Sequence, residues 1–459
     1  MNGVQIMKTT ETMTQYDKMT KTPLVKLIVS LGIPTTISML VTSIYNMADT
    51  YFVGTLGESP QAATGILFTL QAIIQAVAFM LGQGSGTMVS KALADRNKEE
   101  ASEYISTGFF TGLFFGSVFL VFGLLFLNPL LRLLGSTDTI LPYARQYGAC
   151  VLLSCPVVMG SFVLNNNLRY EGKSFYSMIG LVSGGFINIF GDYLLVIVLE
   201  MGVLGAGIAT AVSQTISFGI LLYFFTKMGE SKIRFSSLSR RKSTYTTIMK
   251  VGFPALVRQG LSSFSGGLLN NITRPFGDAA IAAMSVANRF SMFVMCVGLG
   301  IGQGYQPVAA FNYQAKHYDR VKRGLLATMA IGFCMVACLA IPSVIFAEHI
   351  VYAFQKSPAV MEVGVLPLRA ACIGSMFLPF SIPVNMLYQS TRQVKASTFL
   401  SMMRNGLMFI PTLLITTHFW GLLGVQISQP MADIMTGFAS IPFVVSFLRK
   451  KFPDQIKTE

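Results

Sequence analysis

Charge is what this chain has least of. Only 12% of its 459 residues are Asp, Glu, Lys or Arg and 52% are apolar, whereas soluble domains carry about 25% charged residues. An ordinary soluble domain is excluded. Histidine is nearly absent, with three residues, and there are six cysteines, Cys150, Cys155, Cys296, Cys334, Cys338 and Cys372. None stands in a Cys-x-x-Cys spacing or near a His cluster, so no metal centre is expected, and all six read as buried packing residues. No nucleotide loop is present either. Gly82-Gln83-Gly84-Ser85-Gly86 has no strand before it and no Gly-Lys-Ser/Thr after it, so close helix packing or a bend is the better reading. With no ATPase domain, any transport must draw on an ion gradient, and no cofactor is expected. Residues 1–21 are polar and lack the apolar core of a secretory signal, which leaves the first span to direct insertion.

Long apolar runs are what remains, and they select transmembrane helices over the alternating strands of a barrel. Twelve spans are expected, near 24–53, 61–90, 102–127, 140–168, 175–199, 203–226, 247–273, 280–311, 324–346, 363–388, 396–417 and 421–448. The fold class is an all-α polytopic membrane protein. The net charge of +14 does not signal nucleic acid. Of 34 Lys and Arg, 26 fall in the two tails and the loops after even-numbered spans, which places both termini in the cytoplasm.

Internal repetition organises the chain. Gly32-Ile33-Pro34 recurs as Gly252-Phe253-Pro254, Leu56-Gly57 as Phe276-Gly277, and Gly82-Gln83-Gly84 as Gly302-Gln303-Gly304, each 220 residues on. Asn166 matches Asn385 and Gly202-Val203-Leu204-Gly205 matches Gly421-Leu422-Leu423-Gly424, 219 on. A parallel duplication of six spans follows. The expected organisation is a tail (1–23), an N-lobe (24–226), a polar basic linker (227–246), a C-lobe (247–448) and a second tail (449–459).

Asp49 lies inside the first span, where a charge costs about 2.5–3.5 kcal/mol on insertion scales and faces an aqueous path or a partner. Thr35, Ser38, Thr42, Tyr45, Asn46 and Asp49 recur at helical spacing and form one polar stripe. At 1.5 Å per residue, Asp49 is about 6 Å inside the outer end of its span, and Asp192 and Thr210 about 11 Å inside theirs. Asn188 precedes Asp192 by one turn. Two carboxylates, an amide and a hydroxyl supply oxygen ligands for a hard cation, or can hold protons. Asp49 read alone could also be an interfacial acid, and Thr210 or Asn188 a helix-packing group. The C-lobe carries a different charge set, Arg258, Arg289, Arg404 and Asp433, in which Asp433 is expected to neutralise Arg404 or Arg289 rather than form a second ion site.

The run Tyr45-Asn46-Met47-Ala48-Asp49-Thr50-Tyr51-Phe52-Val53-Gly54, the Leu56-Gly57 after it, Asn188-x-x-x-Asp192, the Leu168-Arg169-Tyr170-Glu171-Gly172-Lys173 loop and the duplication together resemble the multidrug and toxic compound extrusion (MATE) family, in its DinF-like or MepA-like bacterial branch. The resemblance spans about residues 24–448. It implies two six-helix bundles in a V, exchanging hydrophobic, often cationic, drugs for Na⁺ or H⁺ in a bacterial inner membrane. Its coupling-ion residues would correspond to Asp49, Asn188, Asp192 and Thr210. The expected substrate surface joins Met39, Thr42, Tyr45, Phe68, Gln71 and Asn165, since aromatic faces and carboxylates suit hydrophobic cations; Tyr45 and Gln71 could equally be packing groups. Expected partners are small molecules and the bilayer, with no nucleic acid and a monomeric chain. Two other readings stand beside it. A lipid-linked saccharide flippase would need a basic cavity, for which Arg258 and Arg289 are candidates. An intramembrane aspartyl protease would need a Gly-x-Gly-Asp that Asn188-Ile189-Phe190-Gly191-Asp192 lacks.

Overall fold

The computed structural model describes residues 14–354 and 358–450, so the outer parts of both expected tails (1–13 and 451–459) lie outside the described residues. Among the described residues the chain is helical throughout, with no strand. A short helix α1 (Gln15–Lys21) precedes the first half, which comprises α2 (Leu24–Gly54), α3 (Glu58–Ala94), α4 (Lys98–Leu125), α5 (Leu127–Leu133), α6 (Leu141–Tyr170), α7 (Ser174–Asp192) and α8 (Gly202–Met228). The second half comprises α9 (Lys242–Thr273), α10 (Asp278–Gln314), α11 (Tyr318–Ile345), α12 (Ala347–Phe354), α13 (Pro358–Ser375), α14 (Leu378–Ser390), α15 (Val394–Met402), α16 (Phe409–Trp420) and α17 (Leu422–Arg449).

Ten stretches are long and apolar enough to cross a bilayer, α7 running on to Val198 and α15 with α16 counting as one from Val394 to Trp420, and α13 with α14, bent by 47°, make an eleventh. The twelfth expected span is α9. Its 32 residues suffice in length, but Arg258, Gln259, Ser262, Ser263, Asn270 and Asn271 keep it below the apolarity of a lipid-facing helix.

The duplication reaches the level of single hydrogen bonds. After α3, Asn97 N–H bonds Ala92 O at 2.8 Å and Arg96 N–H bonds Leu93 O at 3.1 Å; after α10, His317 and Lys316 repeat this on Asn312 and Tyr313. After α6 and α14, Lys173 with Gly172 and Gln393 with Arg392 do the same. This is the Schellman stop, whose C′ residue turns left-handed. The φ values are 59° at Arg96, 62° at Lys316, 72° at Gly172 and 61° at Arg392, so the left-handed stops recur 220 residues apart. Three of the four carry a β-carbon at a position that favours glycine, a cost of about 1–2 kcal/mol each. The register also corrects one pairing: Asn165 bonds Ser177 O at 3.3 Å and Asn385 bonds Ser397 O at 2.8 Å, so the counterpart of Asn385 is Asn165, not Asn166.

The two halves share one core at the end where the linker lies. Leu27, Leu31, Leu81, Val163 and Leu164 of the first half pack in a single cluster with Ile248, Ile301, Tyr305 and Leu387 of the second. Toward the other end each half keeps a core of its own, around Leu67 and Leu152 in the first and around Val294 and Val336 in the second. The halves are therefore joined at the linker end and part beyond it, as arms of a V. Glycine makes the joint possible. A Cβ on Gly252 would lie 1.8 Å from Met80 O, and one on Gly84 2.1 Å from Ile248 O, where α3 crosses α9; one on Gly304 would lie 2.5 Å from Gly32 Cα, where α2 crosses α10. The repeated Gly-Gln-Gly is thus a packing device.

The linker end is tied further. The carboxylate of Glu171 is buried and accepts from the N–H groups of Glu230 (2.7 Å) and Ser231 (3.2 Å), and from the Ser231 hydroxyl; burial pushes its carboxyl above the usual range, which the three donors oppose. Helix α1, within the expected tail, lies across both halves. Gln15 donates to Glu171 O and Lys18 to Gly172 O at 3.0 Å. From the second half, Asn312 donates to Met19 O at 3.0 Å and Arg320 to Thr22 O at 2.7 Å.

Candidate functional site

The polar stripe of α2 divides into two parts. The hydroxyls of Thr35, Ser38 and Thr42 each donate to their own helix, to Leu31 O, Pro34 O and Ser38 O at 2.8 Å. Only the upper part engages other helices. Gln214 of α8 donates to Tyr45 Oη at 3.4 Å, and Tyr147 of α6 donates to Asp49 Oδ2 at 2.8 Å. Asn188 of α7 donates to Thr210 Oγ1 at 3.2 Å, and Thr210 lies 3.5 Å from Tyr147 Oη. Asp49, Asn188 and Thr210 line a common cavity of about 50 Å³ with Tyr45, Asn46, Gln71, Gln75, Tyr147 and Gln214.

Asp192 is fully buried behind this wall and is not part of the lining. It lies within electrostatic reach of Asp49, and Tyr147 within reach of both. Among the described residues, four oxygens in this cluster have no partner: Asp49 Oδ1, Asn188 Oδ1 and both of Asp192. Unpartnered buried acceptors are costly, by about 1–3 kcal/mol each, and all four are acceptors without a matching donor. A cation or a proton answers that deficit, and oxygen-only ligation fits a hard cation such as Na⁺. Immediately after Asp192 the helix widens into a π-turn, Tyr193–Val198, an irregularity found often at functional positions.

The expected substrate residues scatter. Tyr45 and Gln71 line the cavity, while Phe68 is exposed one turn from Gln71 and Met39 and Thr42 are half-buried below it. Asn165 is buried, and its amide donates to Ser177, pinning α6 to α7. Tyr147, absent from the expected set, is the residue that ties Asp49 to Thr210. Its one sequence signal is a phenol seven residues before Ser154 on a single helix face, both of which line the cavity.

A family model described as MatE matches residues 34–194 and again 254–414. The chain belongs to the MatE family. The two matched blocks are themselves offset by the 220-residue repeat. Multidrug export protein MepA of Staphylococcus aureus is similar to this chain, 26% identical over 434 residues that cover 94% of this chain and 95% of that protein. MepA of Staphylococcus haemolyticus is 26% identical over 432 residues, 93% and 94% of the two chains. Among solved structures, the outward-facing conformation of a multidrug resistance MATE family transporter of the MOP superfamily shares the fold, with a TM-score of 0.89 at 23% identity over 96% of this chain and all of that one.

In the second half the intramembrane acid is answered. Arg404 grips Asp433 with Nε on Oδ1 at 2.8 Å and Nη2 on Oδ2 at 3.2 Å, and Gln429 adds a donor at 2.9 Å. Arg289 is exposed and takes no part. Arg404 sits in a second π-turn, Met403–Met408, so each half places an irregular turn in its fifth span beside its buried charge. Breaking a fully buried ion pair costs about 3–5 kcal/mol, and this pair is partly buried on its Arg404 side; Asp433→Asn is therefore expected to lower the thermal midpoint of the purified protein by a few degrees, read by a melting curve in detergent. The cysteine reading needs a correction. Cys150, Cys155, Cys296 and Cys372 are buried, but Cys334 and Cys338 are exposed, one turn apart on the face of α11 that carries Phe333 and Leu339. An apolar surface suits lipid as well as a core, and composition does not separate the two.

Proposed function

We propose that the chain is a multidrug exporter that exchanges hydrophobic, often cationic, molecules for Na⁺ or H⁺ by alternating access, and that it acts as a transporter and not an enzyme. The observation that carries this is the set of four unpartnered acceptor oxygens on Asp49, Asn188 and Asp192 beside a small polar cavity. Such a site suits an ion and not a drug, since drug-sized ligands need about 300–1,000 Å³. Ion and substrate therefore compete through the lobes, each favouring an opposite state. In this reading the V, closed at the linker end, is the outward-open state, the linker end faces the cytoplasm of a bacterial inner membrane, and Phe68, exposed outside this cavity one turn from Gln71, leads the substrate surface. Arg258 is held by the side-chain amides of Asn385 and Gln83 in the seam, which weighs against a pyrophosphate cavity. Asp192 is walled off from the cavity, which weighs against two aspartates sharing a catalytic water.

The test is efflux of a fluorescent lipophilic cation from proteoliposomes under an imposed proton gradient and then an imposed sodium gradient. Acceleration by one gradient and not the other is the expected result and names the ion. Equal rates with and without either gradient would remove ion coupling, and no efflux at all would remove drug export.

A further inference from the structure

Two guanidiniums lie in the seam between the halves with no carboxylate, among the described residues, to answer them. Arg169, at the end of α6, is 4% exposed and donates to Gln303 of the other half and to Asn166 beside it. Arg258, half-buried on α9, donates to Gln83 of the first half at 3.4 Å and to Asn385 at 3.1 Å. Each arginine thus reaches across to the glutamine of the opposite Gly-Gln-Gly. Among the described residues neither forms an ion pair. Two more donors in the cluster, Arg169 Nε and Gln83 Nε2, are buried without an acceptor. The two positive charges are within electrostatic reach of each other. Arg258 stands 11 residues before Leu269, the repeat counterpart of Asp49, so it lies about 16 Å along the helix toward the linker end.

Closing a seam needs no charge. Neutral side chains of similar volume pack without the desolvation cost of a buried ion. What unanswered positive charge does, and a neutral group cannot, is exclude cations from a path. We propose that Arg169 and Arg258 form an electrostatic barrier to cations across the seam, between the Asp49 cavity and the linker end. The inference rests on the reading that a cation gradient drives the chain, because a carrier that leaks its driving ion does no work.

The barrier is tested with a sodium-sensitive dye inside proteoliposomes, an inward sodium gradient and no substrate. Arg258→Gln and Arg169→Gln are expected to raise sodium entry roughly tenfold each, the effect of removing one unit charge at about 10 Å and an effective dielectric near 20. Arg258→Lys and Arg169→Lys keep the charge and are expected to stay near wild type. Gln83→Glu neutralises Arg258 while strengthening its contact, so it is expected to leak although the seam is tied more firmly. Equal leakage in Lys and Gln variants, or a tight Gln83→Glu, would show a mechanical tie instead and overturn the barrier. So would Gln variants that fold, by size-exclusion profile, and do not leak. The readout needs neither substrate nor a working coupling site, so a failed barrier and a failed exchange reading give different results.

Discussion

Asp192→Asn and Asp49→Asn are expected to abolish gradient-driven export while leaving the protein as stable as wild type, or slightly more so. The direction follows from what surrounds each carboxylate. Asp192 is fully buried with neither oxygen bonded, and Asp49 has one bond, from Tyr147. Replacing an unpaired buried charge by its neutral isostere removes a desolvation cost and leaves packing unchanged. Asn at position 49 can still accept from Tyr147 through its carbonyl oxygen. What disappears is the charge deficit that a cation or proton fills. Coupling free energies of about 1–3 kcal/mol correspond to roughly 5–150-fold in rate or affinity, so driven efflux should fall by that order toward the undriven rate. The check is proteoliposome efflux with and without the gradient, paired with a melting curve. Asp433→Asn supplies the contrast, because there the acid is already neutralised by Arg404 and its loss shows first in the melting curve. Undiminished driven efflux in both Asp49→Asn and Asp192→Asn would sink the assignment.

The difference between these aspartates was only partly legible in the sequence. Asp49, Asn188, Asp192 and Thr210 could be brought together because depth in a membrane helix follows from counting residues, and depth is one of the three coordinates a site needs. The other two, which face and which neighbour, depend on helix packing. That is why Tyr147 was missed: its depth was readable, but nothing in α6 says that its phenol turns to α2. It is also why Asn165 was expected to meet substrate, whereas its amide bonds Ser177 of the next helix. Thr35, Ser38 and Thr42 share a face with Asp49, yet their hydroxyls are spent on their own backbone. The same limit governs Cys334 and Cys338, since lipid and protein interior ask for the same side chains.

The repeat, in contrast, was legible because it was written in glycine, whose role is backbone geometry and needs no partner identified. Even so, half of it was concealed. The stops at Arg96, Lys316 and Arg392 use residues for which the usual glycine signal is silent. The α1 helix escaped because its seven residues are too few to form a stable helix alone; it is held by Asn312, Arg320 and the α6–α7 turn, none of which is near it in sequence.

One methyl group on α9 is expected to act with opposite sign at two positions. Gly252→Ala places a Cβ 1.8 Å from Met80 O, a backbone atom that cannot rotate away, so α3 and α9 must separate where the halves join. Overpacking a tight core costs about 1–3 kcal/mol and occasionally more, and a contact this short belongs at the upper end. Gly260→Ala, two turns along the same helix, meets nothing within 4 Å, so helix propensity alone acts and favours alanine by about 0.8–1 kcal/mol. Melting curves should therefore move down for Gly252→Ala and up for Gly260→Ala. A cysteine introduced near Ile248 should become reactive to a soluble maleimide only in the former, as the seam opens. If Gly252→Ala melts like wild type, α3 and α9 do not cross at this contact, and the glycine repeat would need another explanation. If both variants gain stability, propensity outweighs the seam, and the joint between the halves is looser than a glycine contact requires.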